Sequence, residues 1–443
     1  MPRQFGSPIV LLVCLEFLLI APPADAQWFR RRWSRPAYRP TYTPQPIRNP
    51  SHAPPTTRRD AAATPKAPAR RSSQPDISDR TSPTTSGSEK LAKIRVPGEF
   101  EPQRAMMLSI SDWMPHHFDI LTQITEATDG HVELIVFYND LGRVKQVVEH
   151  LMKAGIDGSH VFFSPLELDT IWVRDFAPRL AETADGPIAL DFFYEGSRPK
   201  DDAFPVRWAE TCQSKLRTVR WTIQGGNLLF NGRGLGVTSE RIFKDNAIGF
   251  PPSSSVVNPQ VEARRMVTDQ FKRACNLSEL VVLERLSNEV TGHVDMFMTF
   301  VAPDHVVVGR LDPRRNPINA RILDRNAARL ARIWVGSSPM QVTRVDFPTP
   351  NGKQWSSMTN VILANDLILL PRIDTDPPEI LAAAKAMYQR VLPGYSVEMI
   401  DMTSMKALQG AIHCISMNVP EFATLPEKRY AYTEFRRQLE TSR

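Results

Sequence analysis

The chain has 443 residues, 42% hydrophobic and 23% charged, which is the balance of a soluble globular protein. The formal charge is +6, but much of the arginine lies in a proline-rich front segment, so no nucleic-acid partner is expected from it. The four cysteines form no CxxC and no Cys/His spacing, which excludes a zinc site of the usual kinds.

Residues 1–26 read as an export signal. Arg3 precedes the apolar run PIVLLVCLEFLLI, and Ala24-Asp25-Ala26 offers a small-x-small cleavage site. The run is shorter than the ~20 apolar residues of a spanning helix, although Glu16 interrupts it and an uncleaved anchor is the competing reading. A secreted or periplasmic location is expected, with membrane contact only if the signal stays attached. Removing it takes Cys14 and leaves Cys212, Cys275 and Cys414, so at least one thiol is free unless it bridges another chain.

Residues 27–92 are rich in Pro, Arg, Ser and Thr and lack hydrophobic periodicity, the composition of a disordered linker. WFRRRW at its start either adheres to an anionic surface or is a solvated basic stub. From residue 93 the texture changes. AMMLSI, HVELIVF, HVFFS, PIALDFF, LVVLE, MFMTFV and YSVEMI have strand length, and VILANDLILLP reads as two strands around an Asn-Asp turn. Helical spacing occurs over 141–154, 261–274, 320–334 and 380–391. The sequence predicts an α/β domain over 93–425, followed by a tail over 426–443. The pair His116 and His117 has no partner motif and reads as a surface feature.

Polar landmarks punctuate this domain. Asp175, Asn227, His293, Asn360 and Cys414 follow one another at roughly 50–70 residues, each near a strand end or turn. Such spacing suits repeated units that each give one residue to a shared centre. IHCIS holds Cys414, either a packed core residue or a nucleophile. TGHVDMFMTF places His293 and Asp295 two apart, on one face if the segment is a strand. DTIWVRDFAP contributes Trp172, Asp175 and Arg174, the last two a possible ion pair at a turn. QGGNLLFNGRG lacks the GxxxxGK[ST] pattern of a phosphate loop. Cys, His and two Asp suit one reaction well. A guanidinium is planar and always charged, so a pocket for it needs carboxylates. Its central carbon is a poor electrophile, which a thiolate can attack while an imidazole moves protons.

The ordered set PGEFEPQRAMMLSI, DTIWVRDFAP, QGGNLLFNGRG, TGHVDMFMTF, the Asn of MTNVILANDLILLP and GAIHCISMNVP resembles the motifs of agmatine deiminases and bacterial-type peptidylarginine deiminases, members of the guanidino-group-modifying (pentein) superfamily. The resemblance implies a five-bladed pseudo-symmetric α/β propeller of ββαβ units. It implies Cys414 as nucleophile, His293 as proton shuttle, Asp175 and Asp295 as guanidinium holders, Trp172 beside the aliphatic stem, and Asn360 orienting the cysteine or substrate. Asn227 would complete the pocket. The resemblance implies no metal or organic cofactor.

The chain departs from the family's usual pattern at Gln224, where Glu is usual, and at Ala177, where Gly is usual. DFFYEGSRPKDDAFP resembles the peptidylarginine branch, where arginines receive the substrate's terminal carboxylate. Arg198 either plays that part or is a solvated loop charge. Export also favours peptidyl or free arginine, giving citrulline, over agmatine, giving N-carbamoylputrescine. A silent binding module of the same fold would be expected to have lost Cys, His or Asp from the motifs, and all are present.

Overall fold

The computed structural model describes residues 93–442 apart from 114, 247–258 and 409–410. The signal and linker expected over 1–92 lie outside the described residues. The strands in chain order are β1 (Gln103–Ser109), β2 (Glu133–Phe137), β3 (Val161–Ser164), β4 (Arg179–Thr183), β5 (Gly186–Phe193), β6 (Lys215–Thr222), β7 (Leu228–Phe230), β8 (Leu235–Ser239), β9 (Glu279–Leu283), β10 (Met298–Ala302) and β11 (His305–Arg310). They continue as β12 (Trp334–Val335), β13 (Ser338–Pro339), β14 (Gln341–Asp346), β15 (Ile362–Ala364), β16 (Leu367–Arg372), β17 (Ser396–Asp401), β18 (Ser416–Pro420) and β19 (Tyr430–Ala431).

Among the described residues one arrangement recurs five times: an antiparallel pair extended by a parallel third strand. It appears as β4-β5-β6, β7-β8-β9, β10-β11-β14 and β15-β16-β17, and as β18-β1-β2 within the sheet β18-β1-β2-β3-β19. A parallel partner cannot be reached by a tight turn, so each unit needs a crossover. Helices Phe118–Thr128, Phe204–Thr211, Pro259–Ala274, Pro317–Leu330 and Pro378–Val391 lie on these crossovers.

Local chemistry explains where these elements begin and end. The helix Leu141–Lys153 starts at Asp140, whose carboxylate accepts from the amides of Gly142 and Arg143 at 3.0 Å each. It buries Val144, Val147, Val148 and Leu151 of the stripe that its spacing predicts, while Leu141 at its start is exposed. The β15–β16 hairpin turns at Asn365, whose φ of +58° lies in the left-handed region that Asn tolerates.

Three expectations change. The helix expected over 320–334 runs Pro317–Leu330: Asn316 caps it through the Asn319 amide, and Trp334 leaves it to pair with Pro339 in the β12–β13 hairpin. Residues set apart as a tail form β19 and the helix Tyr432–Thr441; β19 pairs with β3, and Tyr432 is buried with its hydroxyl donating to the Ile156 carbonyl at 3.3 Å. His117 is buried rather than on the surface, with its Nδ1 3.1 Å from the Ser404 hydroxyl, because the turn before Phe118–Thr128 folds inward.

The five polar landmarks occupy one equivalent place. Asp175 precedes β4, Asn227 precedes β7, His293 precedes β10, Asn360 precedes β15 and Cys414 precedes β18. Each therefore leads into the first strand of a unit. This is the structural counterpart of their regular spacing in the sequence.

Candidate active site

The segments before these strands are short turns, not strands. VRDF forms a one-turn helix, Val173–Phe176, followed by Pro178, which has no amide to extend it. Trp172 is nearly buried at its start. GGN forms a one-turn 3-10 helix, Gly225–Asn227, whose Gly226 amide donates to Asp175 Oδ1 at 3.2 Å. A Cβ on Gly226 would stand 2.7 Å from Asp295 Oδ2 and 2.9 Å from His293 Nδ1. Only glycine lets the backbone approach both groups so closely.

His293 and Asp295 do share a site, but not as the same-face strand pair their spacing suggested. Gly292, at φ +67°, turns the chain, and Val294–Met296 is a 3-10 helix with extended His293 at its start. The Val294 amide donates to Asn227 Oδ1 at 3.2 Å, which fixes this turn against the glycine turn. His293 Nδ1 then lies 3.6 Å from Asp175 Oδ1, while its Nε2 lies 2.7 Å from Gln224 Oε1.

Cys414 lies in the turn before β18 and is buried. Its Sγ is 3.5 Å from Asn360 Nδ2, and Asn360 Oδ1 accepts from the His413 amide at 3.2 Å. Asn360 thus touches the nucleophile candidate and fixes the backbone just before it. Burial, then the carboxylates of Asp295 and Asp175, push the Cys414 thiol up from its ordinary value. Cys212 and Cys275 are also free and buried, and desolvation pushes each to about 12. They sit in hydrophobic clusters and behave as inert packing residues.

His413 lies between two carboxylates. Its Nδ1 lies 2.8 Å from Asp295 Oδ2 and its Nε2 lies 2.8 Å from Glu99 Oε2. Two carboxylates on two ring nitrogens are satisfied together only by an imidazolium. Burial and Arg174 oppose that charge, but Glu99 and Asp295 outweigh them and the His413 pKa is raised. Glu99 also pairs with buried Arg174, whose Nε donates to the His413 carbonyl at 3.3 Å. Although burial favours its neutral form, Arg174 and then His413 hold the Glu99 carboxyl well below the usual carboxylate range. Arg174 therefore pairs with Glu99, not with adjacent Asp175. The outcome is an alternating chain, Arg174–Glu99–His413–Asp295, ending at the site. Asp295 Oδ1 is buried and finds no hydrogen-bond partner among the described residues.

Sequence reasoning missed Glu99 as a member of this chain. The available signal was PGEFEP together with a histidine beside a buried cysteine, since a buried imidazole requires partners.

Two expected site residues are held by partners within the protein. Asn227 Oδ1 accepts from the Ser239 amide at 3.0 Å as well as from the Val294 amide, so this side chain braces turns. Arg198 is buried, donates to the Tyr194 hydroxyl at 2.7 Å, and approaches Glu195 Oε2 at 3.7 Å. It is not a solvated loop charge. Asp201, three residues on, accepts from the Asp169 and Thr170 amides and the Thr170 hydroxyl, which fastens this loop to the one carrying Trp172. A cleft lined by Met296, Trp355, Arg372, Lys406 and Ala411 abuts the turns that carry Asp295 and Cys414.

Comparison with known proteins extends the picture. Residues 95–420 match the profile of the Porphyromonas-type peptidyl-arginine deiminase family. The agmatine deiminase of Pseudomonas fluorescens is 24% identical over 305 residues, covering 60% of this chain and 79% of that protein. Among solved structures, the agmatine deiminase of Enterococcus faecalis superposes with a TM-score of 0.61 at 18% identity, over 74% of this chain and 96% of that one. The C. jejuni agmatine deiminase gives a TM-score of 0.60 at 17% identity, over 75% and 97%. The fold is thus the mixed α/β fold of these neighbours.

Proposed function

Because this chain belongs to the Porphyromonas-type peptidyl-arginine deiminase family and so to the guanidino-group hydrolases, we propose that Cys414 is the nucleophile of a deiminase that converts agmatine to N-carbamoylputrescine and ammonia. The carrying observation is one buried cluster. Cys414 lies within the field of Asp175 and Asp295, His293 stands between these carboxylates and Gln224, and Asp295 Oδ1 has no partner among the described residues. A planar cation with N–H donors on all sides supplies what that cluster lacks. In this reading the five repeated units form the blades of a propeller, with the turns before their first strands at its centre.

The chemistry follows from the charges. Without substrate the two carboxylates disfavour a Cys414 thiolate. A bound guanidinium offsets them and makes ionisation easier at the moment it is needed. His293 takes the thiol proton as sulfur bonds to the guanidinium carbon. It returns a proton to the departing nitrogen, which leaves as ammonia. His293 then removes a proton from water, whose oxygen attacks the thiouronium carbon. The C–S bond breaks, the ureido product forms, and the thiol recovers its proton. Asp175 and Asp295 hold guanidinium nitrogens, and Trp172 flanks the methylene stem.

This gives a reagent prediction. Neutral iodoacetamide should alkylate Cys414 slowly at pH 7 and faster as pH rises through and beyond 9, because the thiol pKa is raised. The cationic analogue 2-chloroacetamidine should react much faster at pH 7, since it brings the compensating charge. Peptide mapping by mass spectrometry reads both rates at Cys414. Equal rates for the two reagents at pH 7 would remove the charge-compensation step.

The substrate assignment rests on the agmatine deiminases among the relatives and on Arg198, whose guanidinium already has Tyr194 and Glu195 as partners. Peptidyl or free arginine is the second reading, supported by the fastening of the Arg198 loop to the Trp172 loop through Asp201. Ammonia release from agmatine, free arginine and a peptide ending in arginine decides between them. Arg198→Ala should leave agmatine turnover within a few-fold if agmatine is the substrate. A roughly 10- to 100-fold loss confined to carboxylate-bearing substrates would support the second reading. Export of the protein is proposed on residues 1–26 alone, and sequencing the N-terminus of the mature protein tests it.

A further inference from the structure

Gln224 occupies the position where a carboxylate would meet the histidine directly, and the structure shows what lies behind it. Its Oε1 is 2.7 Å from His293 Nε2, and its Nε2 donates to Glu195 Oε1 at 2.8 Å. Gln224 is buried, so neither end of its amide can turn to solvent. A carboxylate only accepts hydrogen bonds. Glu195 therefore forces the amide nitrogen toward itself and the amide oxygen toward His293. An amide oxygen also only accepts, so His293 Nε2 must carry a proton. Neutral His293 then has its lone pair on Nδ1, the nitrogen nearest Asp175 and Gly226.

We propose that Glu195 is a positioning residue for His293: acting through Gln224, it fixes the imidazole tautomer that leaves Nδ1 as the working base. The carboxylate has moved one residue outward, and the amide relays its directional preference. The other oxygen of Glu195, 3.7 Å from Arg198 Nε, is held on the far side of this relay. The catalytic consequence rests on the deiminase reading, whereas the tautomer does not.

The test uses the full chain and two independent readouts. Ring 15N shifts of neutral His293, assigned by comparison with His293→Ala, should report the proton on Nε2 in the unaltered protein. Glu195→Ala should give a mixture of tautomers. In turnover, Glu195→Ala should lower kcat about 10- to 100-fold with KM little changed, part of the ~10²–10⁴-fold that a general acid–base group contributes. Gln224→Glu alone sets two carboxylates against each other and should also lose activity. The exchange Gln224→Glu with Glu195→Gln restores one carboxylate and one amide and should recover to within about tenfold of the original rate. It decides the matter if the alanine variant does not fold. An unchanged His293 spectrum in Glu195→Ala, or a double exchange no better than Gln224→Glu, would overturn the proposal. Absence of turnover in the unaltered protein would sink the deiminase reading, and the 15N tautomer measurement would then decide the role of Glu195 by itself.

Discussion

Cys414→Ser should lower the rate of ammonia release at least ~10⁴-fold while leaving the fold intact. The chemical part of the argument is ionisation. Two carboxylates and burial already push the cysteine thiol upward, and a serine hydroxyl starts far higher still. A bound cation that brings the thiol within reach of His293 leaves the alcohol protonated. The structural part is conservative. Serine fits the volume of cysteine, and its hydroxyl can meet the Asn360 amide that now lies 3.5 Å from Sγ. Circular dichroism and thermal unfolding should therefore match the unaltered protein closely. Turnover within tenfold of the original would end the nucleophile assignment. The serine protein should still bind its guanidine, since the acceptors at Asp175 and Asp295 remain, and calorimetric titration with agmatine and arginine reads this.

Much of the fold was legible because strand-length apolar runs and helical stripes are local signals. The helix beginning after Asp140 and the hairpin at Asn365 each combine a pattern with a residue suited to its turn. The candidate site was legible in its members and not in its geometry. His293 and Asp295 looked like neighbours on a strand face, yet they meet because Gly292 and the Asn227 brace force a 3-10 turn. Arg174 and Asp175 looked like a pair because they are adjacent, but buried Arg174 reaches Glu99 instead. Glu99 and His413 are separated by more than three hundred residues of chain, and no local pattern links them. Charge networks are tertiary facts: each partner's residue type is visible in the sequence, and the pairing is made only when turns from different units converge. Glu195 shows the same limit, since its meaning depends on which end of the Gln224 amide it faces.

Asp295→Asn should lower kcat/KM for the guanidine by about 10³-fold or more, and should at the same time make Cys414 more reactive toward a neutral reagent. The two effects have one cause and opposite signs. Asp295 is the carboxylate whose Oδ2 meets His413 and whose Oδ1 is buried with no partner among the described residues. Asparagine can still bond to His413 with one end of its amide. If the nitrogen faces the site, it confronts the N–H groups of the guanidinium. If the oxygen faces the site, one hydrogen bond survives but the charge opposite the cation is gone. Either way the transition state loses an interaction worth several kcal/mol in a buried setting, and turnover falls. The thiol responds in the other direction. The Asp295 charge is one of the causes raising the Cys414 pKa, so removing it lowers that pKa and increases the thiolate fraction at any pH below it. Iodoacetamide at pH 8 should therefore label Cys414 faster in Asp295→Asn than in the unaltered protein. A variant that had merely unfolded would also expose Cys212 and Cys275, both buried now, and the mass spectrum would show their labelled peptides beside that of Cys414. Lost turnover with slower labelling of Cys414 would mean that Asp295 acts on the cysteine by packing and not by charge. Faster labelling at Cys414 alone would tie the guanidinium-binding carboxylate and the latent thiol to the same electrostatic balance.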